Sequence, residues 1–280
     1  MDSLNIVVAG LGLIGGSMAL TWNRHTAHTV RGWARRQETL EEALRRGAIE
    51  SVCPLPELGW ADVLVLALPP RATVEFLRAH AAVLRPDTIV TDVCGVKAAI
   101  VGECEAICAP HRVWFLGGHP MAGKERSGLD NADDTLFRRA SYVLTPTEAT
   151  PEWVVERMAG LAEQLGCVRP TVTTPDYHDR MIAFTSQLPH VLAGAYVRSP
   201  RCKTHRGYSA GSYRDVSRVA AVDERLWTEL FLMNNGPLCE EIDLLIDNLR
   251  ACREAIATGD EARLRALLRE SREIKETDLG

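Results

Sequence analysis

Residues 5–23 read NIVVAGLGLIGGSMALTWN, and this stretch decides the fold. Asn5 to Ala9 is a short apolar run with the period of a buried strand, closed by the glycines of GLGLIGG and followed by the helix-forming SMALTWN. Strand, glycine turn and helix in that order form the opening of a βαβ unit that binds a dinucleotide. Gly10 permits the tight turn, Gly12 lets the backbone approach a pyrophosphate, and Gly15 lets the helix pack closely on the strand. The helix amino terminus then faces the phosphates. Gly10, Gly12, Leu13, Ile14 and Gly15 are therefore the expected cofactor loop, with Gly16 read as packing.

Working outward, Thr29 to Trp33 reads as the second strand, and the segment after it is GWARRQE. A site for NAD usually offers an acid at the end of this strand to hold the ribose hydroxyls. Trp33 and Ala34 stand there instead, and Arg35 and Arg36 follow at once, two guanidiniums suited to a 2′-phosphate. NADP is the expected cofactor, with NAD second. Further strands are expected at 62–68 (DVLVLAL), 88–93 (TIVTDV, with Asp92 placed among the cofactor residues), 113–116, 141–145 and 167–173. Helices are expected at 38–46, 73–84 and 152–165. Beyond Pro175 the pattern is helical, at 176–197, 223–231, 237–257 and 261–276, the last capped by Asp260. The prediction is an α/β chain: a doubly wound Rossmann-type domain over 1–173, then an all-α domain over 174–280 for substrate and dimerisation.

At 280 residues the chain is long enough for two domains. A formal charge of -5 with evenly spread Lys and Arg gives no electrostatic footprint for nucleic acid. The eight cysteines have neither paired CxxC spacing nor a disulfide pattern, so they read as reduced thiols, and Cys104 and Cys108 without a second ligand pair imply no metal site. The opening MDSLNIVVAG lacks a signal peptide's basic start and long apolar stretch, and no apolar run of roughly 18 residues follows. No membrane partner and a cytoplasmic address are expected. One basic cluster, Arg198, Arg201, Lys203, His205 and Arg206, reads either as steering for an anionic substrate or as a solvated crossover loop.

Four further segments carry chemistry: DVCGVK at 92–97, GGHPMAGKERSG at 117–128, FTSQLPHVLAGA at 184–195 and GSYRDVSRVAAVDERLW at 211–227. Read bottom-up, His119 follows an apolar strand and two glycines, so it sits at a strand's carboxyl end, where open α/β sheets place their ligands. An imidazole there has the pKa of a base for neutral pH.

Taken in order with the glycine loop, these segments resemble the prephenate/arogenate dehydrogenase family, over residues 5 to about 235. The resemblance implies hydride transfer from a cyclohexadienol to the nicotinamide, loss of CO2 and aromatisation, in tyrosine biosynthesis. It makes His119 the catalytic base and His190 and Arg218 substrate contacts, with Glu125 and Trp227 beside them, and it implies a homodimer. Prephenate is the first expected substrate, arogenate the second and an amino-substituted analogue the third. Two departures stand out: the family's DVGSVK serine, understood to bridge the histidine and the nicotinamide, is Gly95 here, and Gln187 stands where a histidine often precedes LPH. The missing serine is the best argument for a rival reading, an NADP sensor without turnover; a β-hydroxyacid dehydrogenase or imine reductase would instead use a helical lysine motif that the chain lacks.

Overall fold

The computed structural model describes residues 3–124 and 126–278. Its chain divides into two compact units, 1–234 and 235–280.

In the first unit, strands β1 (Asn5–Ala9), β2 (Thr29–Trp33), β3 (Ser51–Val52), β4 (Val63–Leu66), β5 (Ile89–Asp92), β6 (Trp114–Pro120), β7 (Tyr142–Thr145) and β8 (Thr171–Val172) form one sheet. Their order is β3-β2-β1-β4-β5-β6-β7-β8. Every pairing is parallel except β6 with β7, where His119 stands opposite Val143. The strands are apolar on both faces because helices cover both. Along β1, Ile6 and Val8 enter the core on one face and Val7 and Ala9 the core on the other, the alternation a strand imposes. Helices α1 (Leu13–His25), α2 (Gln37–Arg45), α3 (Pro70–His80), α4 (Val101–Cys108) and α5 (Glu152–Gln164) make the crossovers. Trp22 of α1 is fully buried and its indole donates to the Leu161 carbonyl of α5 at 3.2 Å.

Two expectations need adjustment. The strand predicted over 167–173 shrinks to Thr171–Val172, both exposed at the sheet edge just after Pro170. The helix predicted over 176–197 is broken into α6 (Pro175–Ile182), a π-helical turn (Ala183–Gln187) and α7 (Leu188–Val197). Pro189 has no N–H to return to the preceding turn, and the ladder widens ahead of it.

Helices α8 (Gly211–Ser217) and α9 (Glu224–Met233) complete this unit, so its packing runs past the point where strands cease at about residue 173. The reason lies in α6: the Asp179 carboxylate accepts from the backbone N–H groups of Lys97 and Ala98 at 2.8 and 2.9 Å, tying the first of these helices to the loop after β5.

The second unit is a helical hairpin, α10 (Asn235–Thr258) and α11 (Glu261–Asp278). Gly259 takes a positive φ of 67°, and the Asp260 carboxylate caps α11 through the Arg263 N–H at 3.0 Å. Leu244, Leu249, Ile256, Leu268 and Ile274 of these two helices are exposed.

Candidate active site

The glycine turn lies at the carboxyl end of β1, between β2 and β4, where the sheet's connections change direction. Gly10 has a φ of 98°, open to glycine alone, and a Cβ there would lie 2.2 Å from the Ala67 carbonyl oxygen. A Cβ on Gly15 would lie 2.0 Å from the Gly10 carbonyl oxygen, so this glycine is what lets α1 lie against the turn. At Gly12 a Cβ would meet nothing within 4 Å. That face of the turn is open to a pyrophosphate, and the residues present fit a dinucleotide.

A cavity of about 440 Å³ begins there. Gly12, Leu13, Ile14 and Gly15 line one end; Cys94, Gly95 and His119 line its middle; Ile182, Ser186, Gln187, Trp227 and Leu230 close the other side. A second hollow, about 720 Å³, adjoins the same turn and is lined by Gly10, Gly12, Trp33, Arg35, Arg36, Glu38, Glu42 and Asp130. Arg35 and Arg36 are both exposed there.

His119 is anchored from behind. Its Nδ1 lies 2.8 Å from Nε2 of His178, whose Nδ1 lies 2.7 Å from the Asp179 carboxylate. Because Asp179 also accepts two backbone N–H groups, it acts as the acceptor of this chain. The hydrogen-bond order therefore assigns the protons: His178 donates from Nδ1 to Asp179, and His119 donates from Nδ1 to His178. Nε2 of His119 is left as the basic nitrogen. Burial holds the His119 pKa well below the ordinary histidine value, helped by His178 and the Lys97 ammonium, so the ring is neutral and ready to accept a proton at neutral pH.

Asp92 differs from its expected role. It lines neither hollow; it is fully buried at the end of β5, accepts from the N–H groups of Cys94 (2.8 Å) and Gly118 (3.2 Å), and pairs with the fully buried Lys97 ammonium. The carboxylate is occupied in holding the loop after β5 against β6, at the residue just before His119. Nothing in the sequence pattern of TIVTDV distinguishes this from a cofactor contact.

Of the remaining expected residues, Trp227 lines the cavity, and His190 stacks on it with ring centroids 3.8 Å apart. Nδ1 of His190 lies 2.8 Å from the Ser186 carbonyl, so this ring is held by the π-helical turn. His190 and Arg218 do not themselves line the cavity; Arg218 is exposed and opens a short 3-10 turn, Arg218–Ala220. Glu125 lies outside the described residues. Gln187, the departure noted before LPH, is buried and accepts from the Asn234 amide at 2.8 Å.

At Gly95, the position of the missing serine, a Cβ would sit 3.9 Å from Cε1 of His119, an ordinary contact. Cys94 gives no substitute: its thiol faces the Leu68 carbonyl at 3.4 Å, and burial raises its pKa far above the usual thiol range. Asp179, unmarked in the sequence reading, is the residue that sets the proton order. Among the described residues no group of three or more His, Cys, Asp or Glu is arranged to hold a metal.

A mostly parallel sheet with a glycine turn at its switch point, and a basic imidazole on the cavity beside that turn, define a nicotinamide-dependent oxidoreductase. Residues 18–169 match the family model described as prephenate dehydrogenase, nucleotide-binding domain, and residues 174–270 match that described as prephenate dehydrogenase, dimerization domain. The chain belongs to the prephenate dehydrogenase family.

It is 31% identical over 281 residues to a cyclohexadienyl dehydrogenase of Zymomonas mobilis, covering 97% of this chain and 94% of the relative. Among solved structures it is similar to a prephenate dehydrogenase from A. aeolicus in complex with hydroxyphenyl propionate and NAD+, with a TM-score of 0.89, 27% identity and coverage of 100% and 99%. It is also similar to Synechocystis arogenate dehydrogenase, with a TM-score of 0.83, 30% identity and coverage of 98% and 99%.

Proposed function

We propose that the chain catalyses the NADP-dependent oxidative decarboxylation of prephenate to 4-hydroxyphenylpyruvate, a step of tyrosine biosynthesis, with His119 as the general base. The observation that carries this reading is the hydrogen-bond chain His119–His178–Asp179, which ends in an unprotonated Nε2 on the cavity that begins at the glycine turn. Bound at the turn, the nicotinamide supplies an acceptor for hydride from the substrate's ring carbon C4. His119 Nε2 takes the proton of the C4 hydroxyl, and the Nδ1 proton stays on His119, hydrogen-bonded to His178, as the imidazolium forms. Asp179 offsets the new positive charge through His178, much as a carboxylate does behind any catalytic imidazole. The C–C bond to the ring carboxylate then breaks, CO2 leaves, its electron pair completes the aromatic ring, and the C4 oxygen takes its proton back from the His119 imidazolium.

Trp227 walls the substrate, with His190 stacked behind it, and Arg218 supplies a guanidinium for a substrate carboxylate; Glu125 completes the set that the family pattern implies. Arg35 and Arg36 in the second hollow support NADP over NAD, since no acid stands at the end of β2. Residues 1–173 carry the cofactor, and 174–280 the substrate contacts and dimer contacts. The working unit is a homodimer, supported by the match to a dimerization domain and by the apolar residues exposed on α10 and α11. A cytoplasmic location is supported by free cysteines throughout.

The test is reduction of NADP, then of NAD, with prephenate and arogenate supplied separately, for the wild type and His119→Asn. Turnover of prephenate that falls about 10²- to 10⁴-fold in kcat in the variant is the expected result. NADP binding without turnover of either substrate would instead point to an amino-substituted analogue as substrate or to a sensor.

A further inference from the structure

The cavity poses an electrostatic question that the residues above leave open. Its proposed substrate carries two carboxylates, yet among the described residues that line it only one is a Lys, Arg, Asp or Glu: Lys124. This lysine stands five residues after His119, on the segment leaving β6, beside the cavity-lining Ala122, Gly123 and Ser127. Its ammonium rests 3.2 Å from the Asp133 carboxylate and 3.2 Å from the Asn131 carbonyl, with 40% of the side chain exposed. A pair this long and this exposed is weak and exchangeable.

Asp133 does not depend on it. The Asp133 carboxylate accepts from the Thr135 N–H (2.8 Å) and hydroxyl (2.7 Å), and its own N–H donates to the Ser17 hydroxyl (2.9 Å). The acid is a fixed resting place that the lysine can leave.

We propose that Lys124 leaves Asp133 to hold the side-chain carboxylate of the substrate, and that its charge selects a keto acid over the corresponding amino acid. The proposal rests on the cyclohexadienol dehydrogenase reading above. The choice of carboxylate follows from the reaction. The ring carboxylate departs as neutral CO2, so a cation held on it stabilises the ground state more than the transition state. The side-chain carboxylate keeps its charge throughout, and holding it is uniform binding, felt in KM. An amino-acid side chain brings an ammonium next to that carboxylate, and Lys124 repels it; a keto group brings no charge.

The experiment compares wild type with Lys124→Met, Lys124→Arg and Asp133→Asn, measuring kcat and KM for prephenate, arogenate and NADP, with thermal unfolding of each as a check on folding. In Lys124→Met the KM for prephenate is expected to rise about ten-fold or more, the factor for one lost charged hydrogen bond, while kcat stays within about two-fold. The ratio of kcat/KM for prephenate to that for arogenate falls, Lys124→Arg restores both, and Asp133→Asn lowers the prephenate KM by freeing the lysine. An unchanged prephenate KM in Lys124→Met overturns the proposal, as does a rise confined to the KM for NADP, which would place the lysine on the cofactor. A wild type that turns over neither substrate overturns the reading of the function itself, before any variant is compared.

Discussion

Beneath the His119 imidazole and around the second hollow, the protein uses charge in opposite ways. Under His119, Asp92, Lys97, His178 and Asp179 are all buried, and their charged groups are paired with one another or with backbone N–H groups. At the second hollow, Arg35 and Arg36 stand exposed, with Glu38 and Glu42 nearby. The buried set fixes geometry and cannot lose a member cheaply; the exposed set can be altered without disturbing the fold. With Gly95 where the family has a serine, the first orients the His119 imidazole from behind. On the function proposed above, the second is where cofactor preference can be altered with the least disturbance to the fold.

The buried side breaks most visibly at Asp92. Asp92→Ala leaves the Lys97 ammonium buried without its carboxylate and removes the acceptor for two backbone N–H groups. Breaking a buried pair in this one-sided way costs about 3 to 5 kcal/mol. Equilibrium unfolding in urea is expected to show that loss as a lower midpoint at an unchanged slope. A loss below about 1 kcal/mol would mean that the pair is no better than a surface one.

These two regions also differ in how far they are legible from sequence. The glycine turn is readable because its whole logic is local: strand, three spaced glycines and helix lie within residues 5–23. Arg35 and Arg36 are readable as an absence of acid at a defined distance from that turn. The buried network is not, since Lys97 N and the Asp179 carboxylate meet across 82 positions, and His119 and His178 across 59. The end of a central strand suits either a cofactor contact or a structural carboxylate, and only the fold shows the Asp92 carboxylate turned inward. The π-helical turn at 183–187 hid within an unbroken helical pattern, because a proline in a helix announces a disturbance without saying which kind.

Next in size is His178→Ala, which removes the acceptor that fixes the His119 tautomer. A fall in kcat of about 10²-fold is expected, with KM nearly unchanged, because the lost interaction matters only as the proton moves. The pH profile separates this from simple damage. In the wild type, burial first and then His178 and Lys97 hold the His119 pKa down, so kcat/KM keeps its plateau to well below the ordinary histidine pKa of about 6.5. Removing His178 opens the site to water and relieves burial, the largest of those causes, so the acid limb moves up towards about 6.5. Stability follows the same sign: the unfolded chain binds more protons than the folded one below about 6.5, so the wild type loses stability as pH falls through that window. An acid limb unmoved in His178→Ala would assign it to another group.

The smallest effect belongs to the exposed side. Arg35→Ala and Arg36→Ala each remove a guanidinium from the second hollow without touching a buried contact, so the KM for NADP should rise about ten-fold and the KM for NAD should stay level or fall. Because these charges face water, added salt should weaken NADP binding in the wild type and do less in the variants. The double variant sharpens the comparison further. If the two arginines grip one phosphate, removing both costs less than the sum of the single losses, since the second has less left to hold; independent losses that add would place only one of them on the phosphate and the other in the field around it.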